Sequence, residues 1–158
     1  MNDGARPTAV MFVCFGNICR SPMAEFVFKE MARRAGAPIA VASAATACEE
    51  GRPVHPAVTE KLREEGVPAY PRKSVLLRPS DAEKYDLFVG MDEYNTRAIR
   101  RILGEAAEGK ICRLLDFTDE PRDIADPWYT GDFDATYRDV SAGCKALLGR
   151  LVHNQGQV

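Results

Sequence analysis

The sequence is poor in most of what would commit a chain of this size to a metal, a disulfide framework, a nucleic acid or a bilayer. Among its 158 residues there are five cysteines, an odd number with uneven spacing, which excludes a fully paired secreted disulfide scaffold. No Cys-x2-Cys pair occurs, and His55 and His153 are the two histidines, so a zinc site finds no ligand set. No apolar run approaches the roughly 18 residues of a membrane span, and the N-terminus has no signal-peptide core. The formal net charge is −2, and Arg33-Arg34 and Arg100-Arg101 are its only paired arginines. Neither nucleic acid nor an anionic membrane surface is therefore an expected partner. Internal repeats, low-complexity tracts and linkers are missing too. A cytoplasmic protein is expected, with residues 1–7 as a flexible tail and 8–158 as one domain.

Short apolar runs alternate with helical patterns. Runs at 9–13, 39–43, 86–91 and 111–115 read as strands buried on both faces. Helices are expected at about 22–35, 56–65, 80–84, 92–104 and 133–152, with Gly36, Gly66 and Gly104 as C-caps and Ser80 to Glu83 as a capping box. Strand alternating with helix predicts an α/β fold, a parallel sheet wrapped by helices, with its ligand site at the carboxyl ends of the strands.

Cys14 follows the first strand, at that edge. The segment Cys14-Phe-Gly-Asn-Ile-Cys-Arg-Ser21 then reads as a strand, a tight turn and a helix start at Ser21-Pro22. Backbone N–H groups converge in such a turn, and the helix dipole adds positive potential, so an oxyanion is the natural guest. Arg20 brings a planar fork of donors suited to phosphate. The same field favours a thiolate at Cys14 and makes it a nucleophile. A bare Cys-x5-Arg pattern is weak evidence, because it recurs at Cys144 to Arg150. That second match lies inside a helical pattern with no strand before it, and Cys144 reads there as a buried hydrophobe.

A second chemical segment runs from Asp116 to Asp134. Asp126 stands apart from Asp116, Asp119, Glu120, Asp123, Asp132 and Asp134 because Ile124-Ala125 precede it and Pro127-Trp128-Tyr129 follow. Apolar neighbours suit an aspartate that must hold a proton as general acid. Proximity to the nucleophile decides among the seven, and the sequence does not give it.

The stretch Cys14-x-Gly-Asn-Ile-Cys-Arg-Ser-Pro22, together with Asp126-Pro-Trp-Tyr129, Ser43-Ala-Ala-Thr46 and Met91-Asp-x-x-Asn95, resembles the low-molecular-weight protein tyrosine phosphatases. The resemblance spans Ala9 to Leu151. It implies a single-domain, four-stranded parallel sheet with helices on both faces, and phosphotyrosine-containing protein substrates. Inorganic phosphate and other oxyanions would compete at the site. It implies Cys14 as nucleophile, Arg20 as phosphate clamp and Asp126 as proton donor, with no metal and no cofactor. Phe15, Gly16, Asn17, Ile18, Cys19 and Ser21 would complete the phosphate loop, with Ser21 bonded to the thiolate and Asn17 holding the strained turn. Trp128 and Tyr129 would wall the cleft, with ordinary core packing as their alternative.

Three departures stand out against that family. Ala47-Cys-Glu-Glu50 replaces an aromatic expected opposite Trp128, leaving Cys48 and Glu49 as a smaller, more acidic wall. Arg72 and Val75 stand where a histidine and an arginine are usual, and Phe15 replaces a leucine. Of the competing activities, arsenate reduction through protein thiols needs paired cysteines that Cys48, Cys112 and Cys144 do not supply. Arginine phosphatases carry threonine at the position of Ile18. A non-catalytic phosphate-binding module needs neither nucleophile nor acid. Cys19, five residues from Cys14, is a candidate redox partner that would trap an oxidised nucleophile as a disulfide.

Overall fold

In a computed structural model, which describes residues 7–155, four parallel strands form one sheet in the order β2-β1-β3-β4. The strands are β1 (Ala9–Cys14), β2 (Ala40–Ala45), β3 (Leu87–Gly90) and β4 (Ile111–Arg113). The helices are α1 (Arg20–Arg34), α2 (Pro56–Glu64), α3 (Glu93–Leu103), α4 (Pro127–Thr130) and α5 (Phe133–Gln155). The expected tail lies outside the described residues except for Pro7.

Strand alternation divides the core. Val10, Phe12 and Cys14 point to the face covered by α1, α2 and α5, while Met11 and Val13 meet Ile99 and Leu103 of α3 on the other. Helices thus lie on both faces. This alternation also places the Cys14 side chain on the α1 side, over the start of that helix.

Burial on both faces, expected for all four strands, holds for central β1 and fails at the edges. The first residue of β2 is exposed, and all of β4 is half-buried, because each has a neighbour on one side alone. Helix α1 begins two residues earlier than expected, which makes Arg20 its first residue. The expected helix at 80–84 is a 3-10 turn, Pro79–Glu83. Its cap is also different: Asp81 accepts from the Arg78 amide at 2.9 Å, so the cap spans 78–81 rather than 80–83. Gly36, Gly66 and Gly104 do close α1, α2 and α3 with positive φ. Cys144 is fully buried on α5 beside the Ala24 carbonyl, and burial pushes its thiol pKa up. It is the small hydrophobe that its helical context implies.

Candidate active site

The loop from β1 to α1 turns back on itself through Asn17, whose φ of +56° is the one positive value at a non-glycine position among the described residues. A left-handed backbone costs an ordinary residue about 1–2 kcal/mol, and asparagine bears it best. Here the side chain is wholly buried and fully bonded. Its Nδ2 donates to Ser21 Oγ (2.8 Å) and Ser43 Oγ (3.0 Å), and its Oδ1 accepts from Arg72 Nη2 (3.0 Å) and the Val75 amide (3.1 Å). Four bonds at roughly 0.5–1.5 kcal/mol each outweigh the strain.

The turn places several donors near one sulfur. Ser21 Oγ lies 3.0 Å from Cys14 Sγ, and the Asn17 amide donates to it at 3.3 Å. Since Ser21 Oγ already accepts from Asn17, its own hydrogen is free to point at the sulfur. The amides of Gly16, Ile18 and Cys19 meet no protein acceptor among the described residues. Amides arrayed at a helix start in this way make an oxyanion cradle.

Arg20 is buried and clamped. Its Nη1 donates to Asp92 Oδ2 (2.7 Å) and the Ile124 carbonyl (2.8 Å), and its Nη2 to Asp126 Oδ2 (3.4 Å). Burial alone would pull the guanidinium down, but the charges of Cys14, Asp92 and Asp126 prevail and its pKa is raised. Asp126 caps α4 by accepting from the Trp128 amide (3.0 Å) through Oδ1, which leaves Oδ2 toward Arg20.

One cleft is lined by Cys14, Phe15, Gly16, Ile18, Cys19, Arg20, Ala47, Cys48, Arg52, Asp126, Trp128 and Tyr129. Trp128 and Tyr129, 56 % and 84 % exposed, are not core aromatics. Trp128 is braced from behind: the His55 ring meets it edge-on at 6.0 Å and stacks on Phe133 at 5.0 Å, and the His55 amide donates to the Ile18 carbonyl at 2.9 Å. Cys48 lines the cleft and Glu49 does not; the Glu49 carbonyl accepts from Ser74 Oγ (2.9 Å). Asn17 and Ser21 lie beneath the loop. Of the other six acidic candidates none lines the cleft: Asp116 and Asp123 are held by Arg113, Asp134 by Lys61 and Asp132 by the Ala135 amide, while Asp119 and Glu120 line a separate hollow beside Arg122.

Cys19 is a free, buried thiol with its pKa pushed up to about 12, chiefly by burial and then by the charges of Cys14 and Asp126. It therefore stays protonated at neutral pH.

Sequence reasoning assigned no role to Asp92, Glu25, Arg52 or His55. The Asp-x-x-Asn spacing at 92–95 was a signal for Asp92, since it caps α3 at the carboxyl edge of β3, where ligand sites form. Glu25, 5 % exposed, ends a buried chain of bonds: Asn17 donates to Ser43, and Ser43 and Tyr70 donate to Glu25. Arg72 Nε pairs with Glu25 at 3.3 Å, so this one arginine serves both the loop asparagine and the buried carboxylate.

A family model, low molecular weight phosphotyrosine protein phosphatase, matches residues 9–157, and the chain belongs to that family. The low molecular weight protein-tyrosine-phosphatase YfkJ of Bacillus subtilis is 32% identical over 148 residues, which cover 90% of this chain and 95% of YfkJ. PtpA of Staphylococcus epidermidis, named likewise, is 34% identical over 146 residues, with 90% and 93% covered. The crystal structure of YfkJ superposes with a TM-score of 0.90, covering 95% of this chain and 98% of that one at 33% identity. The arginine phosphatase YwlE shares the fold at a TM-score of 0.82 and 28% identity, with 91% and 95% covered. No helix among the described residues is long and apolar enough to cross a membrane.

Removal of Arg72 should expose the dependence of the loop on the layer beneath it. Arg72→Ala leaves Glu25 buried without its cation and Asn17 short of a donor, and should cost about 3 kcal/mol in thermal or denaturant unfolding. The added stability conferred by inorganic phosphate should shrink with it. An unchanged melting temperature and an unchanged phosphate shift would show that the loop holds itself.

Proposed function

We propose that this protein hydrolyses phosphotyrosine in protein substrates through a phosphocysteine intermediate, with Cys14 as nucleophile, Arg20 as phosphate clamp and Asp126 as general acid and base. The observation that carries the reading is the single cleft in which a donor-surrounded sulfur, a buried guanidinium and a cap-fixed carboxylate meet.

Cys14 Sγ attacks phosphorus in line with the phenolic leaving oxygen. The amides of the loop, with Arg20 Nε and the free Nη2 hydrogen, bind the equatorial oxygens as their charge rearranges. Asp126 gives its proton to the leaving phenolate, then takes one from the water that attacks the phosphocysteine. Ser21 supports the departing thiolate through its hydroxyl. Phe15, Trp128 and Tyr129 flank the substrate ring, and Ile18 offers it an apolar wall in place of a hydroxyl for guanidinium. Cys19 protects the site: peroxide converts Cys14 to a sulfenic acid, and the Cys19 thiol condenses with it, releasing water and forming a disulfide that external thiol reduces. A thiol nucleophile of this kind suits the reducing cytoplasm.

Turnover of phosphotyrosine, phosphoarginine, phosphoserine and arsenate, measured side by side, tests the substrate class. Phosphotyrosine should lead, and preference for phosphoarginine or arsenate would overturn the reading. Cys14→Ser should abolish turnover yet still bind phosphate or vanadate. Asp126→Asn should lower kcat for phosphotyrosine by about 10²–10⁴, and less for esters with good leaving groups. A larger loss in Asp123→Asn or Asp132→Asn would move the acid to another carboxylate. After mild peroxide and then dithiothreitol, wild type should regain activity that Cys19→Ala does not, and equal recovery would remove the protective role.

A further inference from the structure

We infer that the cleft favours phosphotyrosine sites flanked by an anionic group, and that Arg52 is the residue that reads the flank. The inference rests on the phosphatase reading above and names the substrate class of the same site.

Arg52 lines the cleft together with the small residues Ala47 and Cys48 and the aromatics Phe15, Trp128 and Tyr129. Its charge reaches the thiols of both Cys19 and Cys48, opposing the burial that raises them. Its backbone is fixed, for the amide donates to Ser74 Oγ (3.0 Å), the carbonyl accepts from the Ser74 amide (2.8 Å), and Pro53 bridges Lys73. The side chain is exposed and makes no ion pair among the described residues.

The other charged residues that line the cleft, Arg20 and Asp126, are paired with each other. Arg20 is shared between Asp92 and Asp126. Glu50, two residues before Arg52, is held by Arg78 (2.8 Å) and the Leu76 amide (2.8 Å). Asp123 pairs with Arg113, and Asp134 with Lys61. Arg52 is thus the charged residue of the cleft lining that makes no ion pair among the described residues. A substrate residue next to the phosphotyrosine that carries a negative charge gains an ion pair there, and a lysine is repelled. A guanidinium takes a carboxylate or a phosphate alike, so an acidic side chain and a second phosphorylated residue share this chemistry.

The test is kcat/KM for one phosphotyrosine peptide with glutamate, a second phosphotyrosine, alanine or lysine at the positions immediately before and after. Wild type should favour the glutamate and doubly phosphorylated peptides over alanine by about two- to fivefold, the worth of one exposed ion pair, with lysine lowest. The preference should fade with added salt. Arg52→Lys should keep the order, Arg52→Ala flatten it and Arg52→Glu reverse it. A preference for the doubly phosphorylated peptide alone would support the inference with phosphate as the flank. Equal values for wild type across the series, or a preference that survives Arg52→Ala, would overturn the inference and leave the phosphatase reading intact. Failure of wild type to release phosphate from any of the peptides would overturn that reading itself.

Discussion

Everything at the cleft depends on one buried asparagine held in a left-handed turn. With Asn17 at φ +56°, the chain leaves β1, reverses and enters α1 within six residues, bringing loop amides, the helix start and the Cys14 sulfur together. The conformation survives because four hydrogen bonds outweigh its strain, and those bonds come from distant chain segments. The cradle is held from below, through Ser43, Glu25, Tyr70 and Arg72, rather than by its own contacts. The Asn17 side-chain carbonyl oxygen is met by one guanidinium, Arg72, and one backbone amide, Val75.

A second constraint is electrostatic. Arg20 is buried in the cleft lining, and two carboxylates flank it. Asp92 orients the guanidinium and is nearly hidden; Asp126 touches it more loosely at 3.4 Å and is more exposed. In the proposed mechanism that difference separates a group that positions the clamp from one free to meet a leaving group. The cap that Asp126 supplies to α4 also sets where Trp128 and Tyr129 stand, so this carboxylate and the two exposed aromatics come from one short turn.

The fold was legible because alternation of apolar runs and helical patterns is a local signal, and the candidate loop from Cys14 to Ser21 because its residues are contiguous. What was not legible depends on distance along the chain. Asp92 meets Arg20 from 72 positions away, and Arg72 meets Asn17 from 55. No spacing rule reports such contacts. Which residues of the 47–50 turn line the cleft was not legible either, because the sequence does not say which side of a turn faces inward; Ala47 and Cys48 line it and Glu49 does not. The Ser80 cap failed for a similar reason, since Asp81 sits nearer to the free Arg78 amide. Asp126 could be set apart from its six acidic neighbours only by seeing that, of the seven, it alone lines the cleft.

The central claim is a covalent phosphoryl–sulfur bond at Cys14. Rapid acid quench during steady turnover of an aryl phosphate, followed by peptide mass analysis, measures it directly. The account predicts a phosphoryl group on the peptide holding Cys14, labile as a thiophosphate is, with a burst of phenol matching the enzyme concentration. Turnover with no phosphoryl on that peptide, or with the group on another side chain, would contradict it.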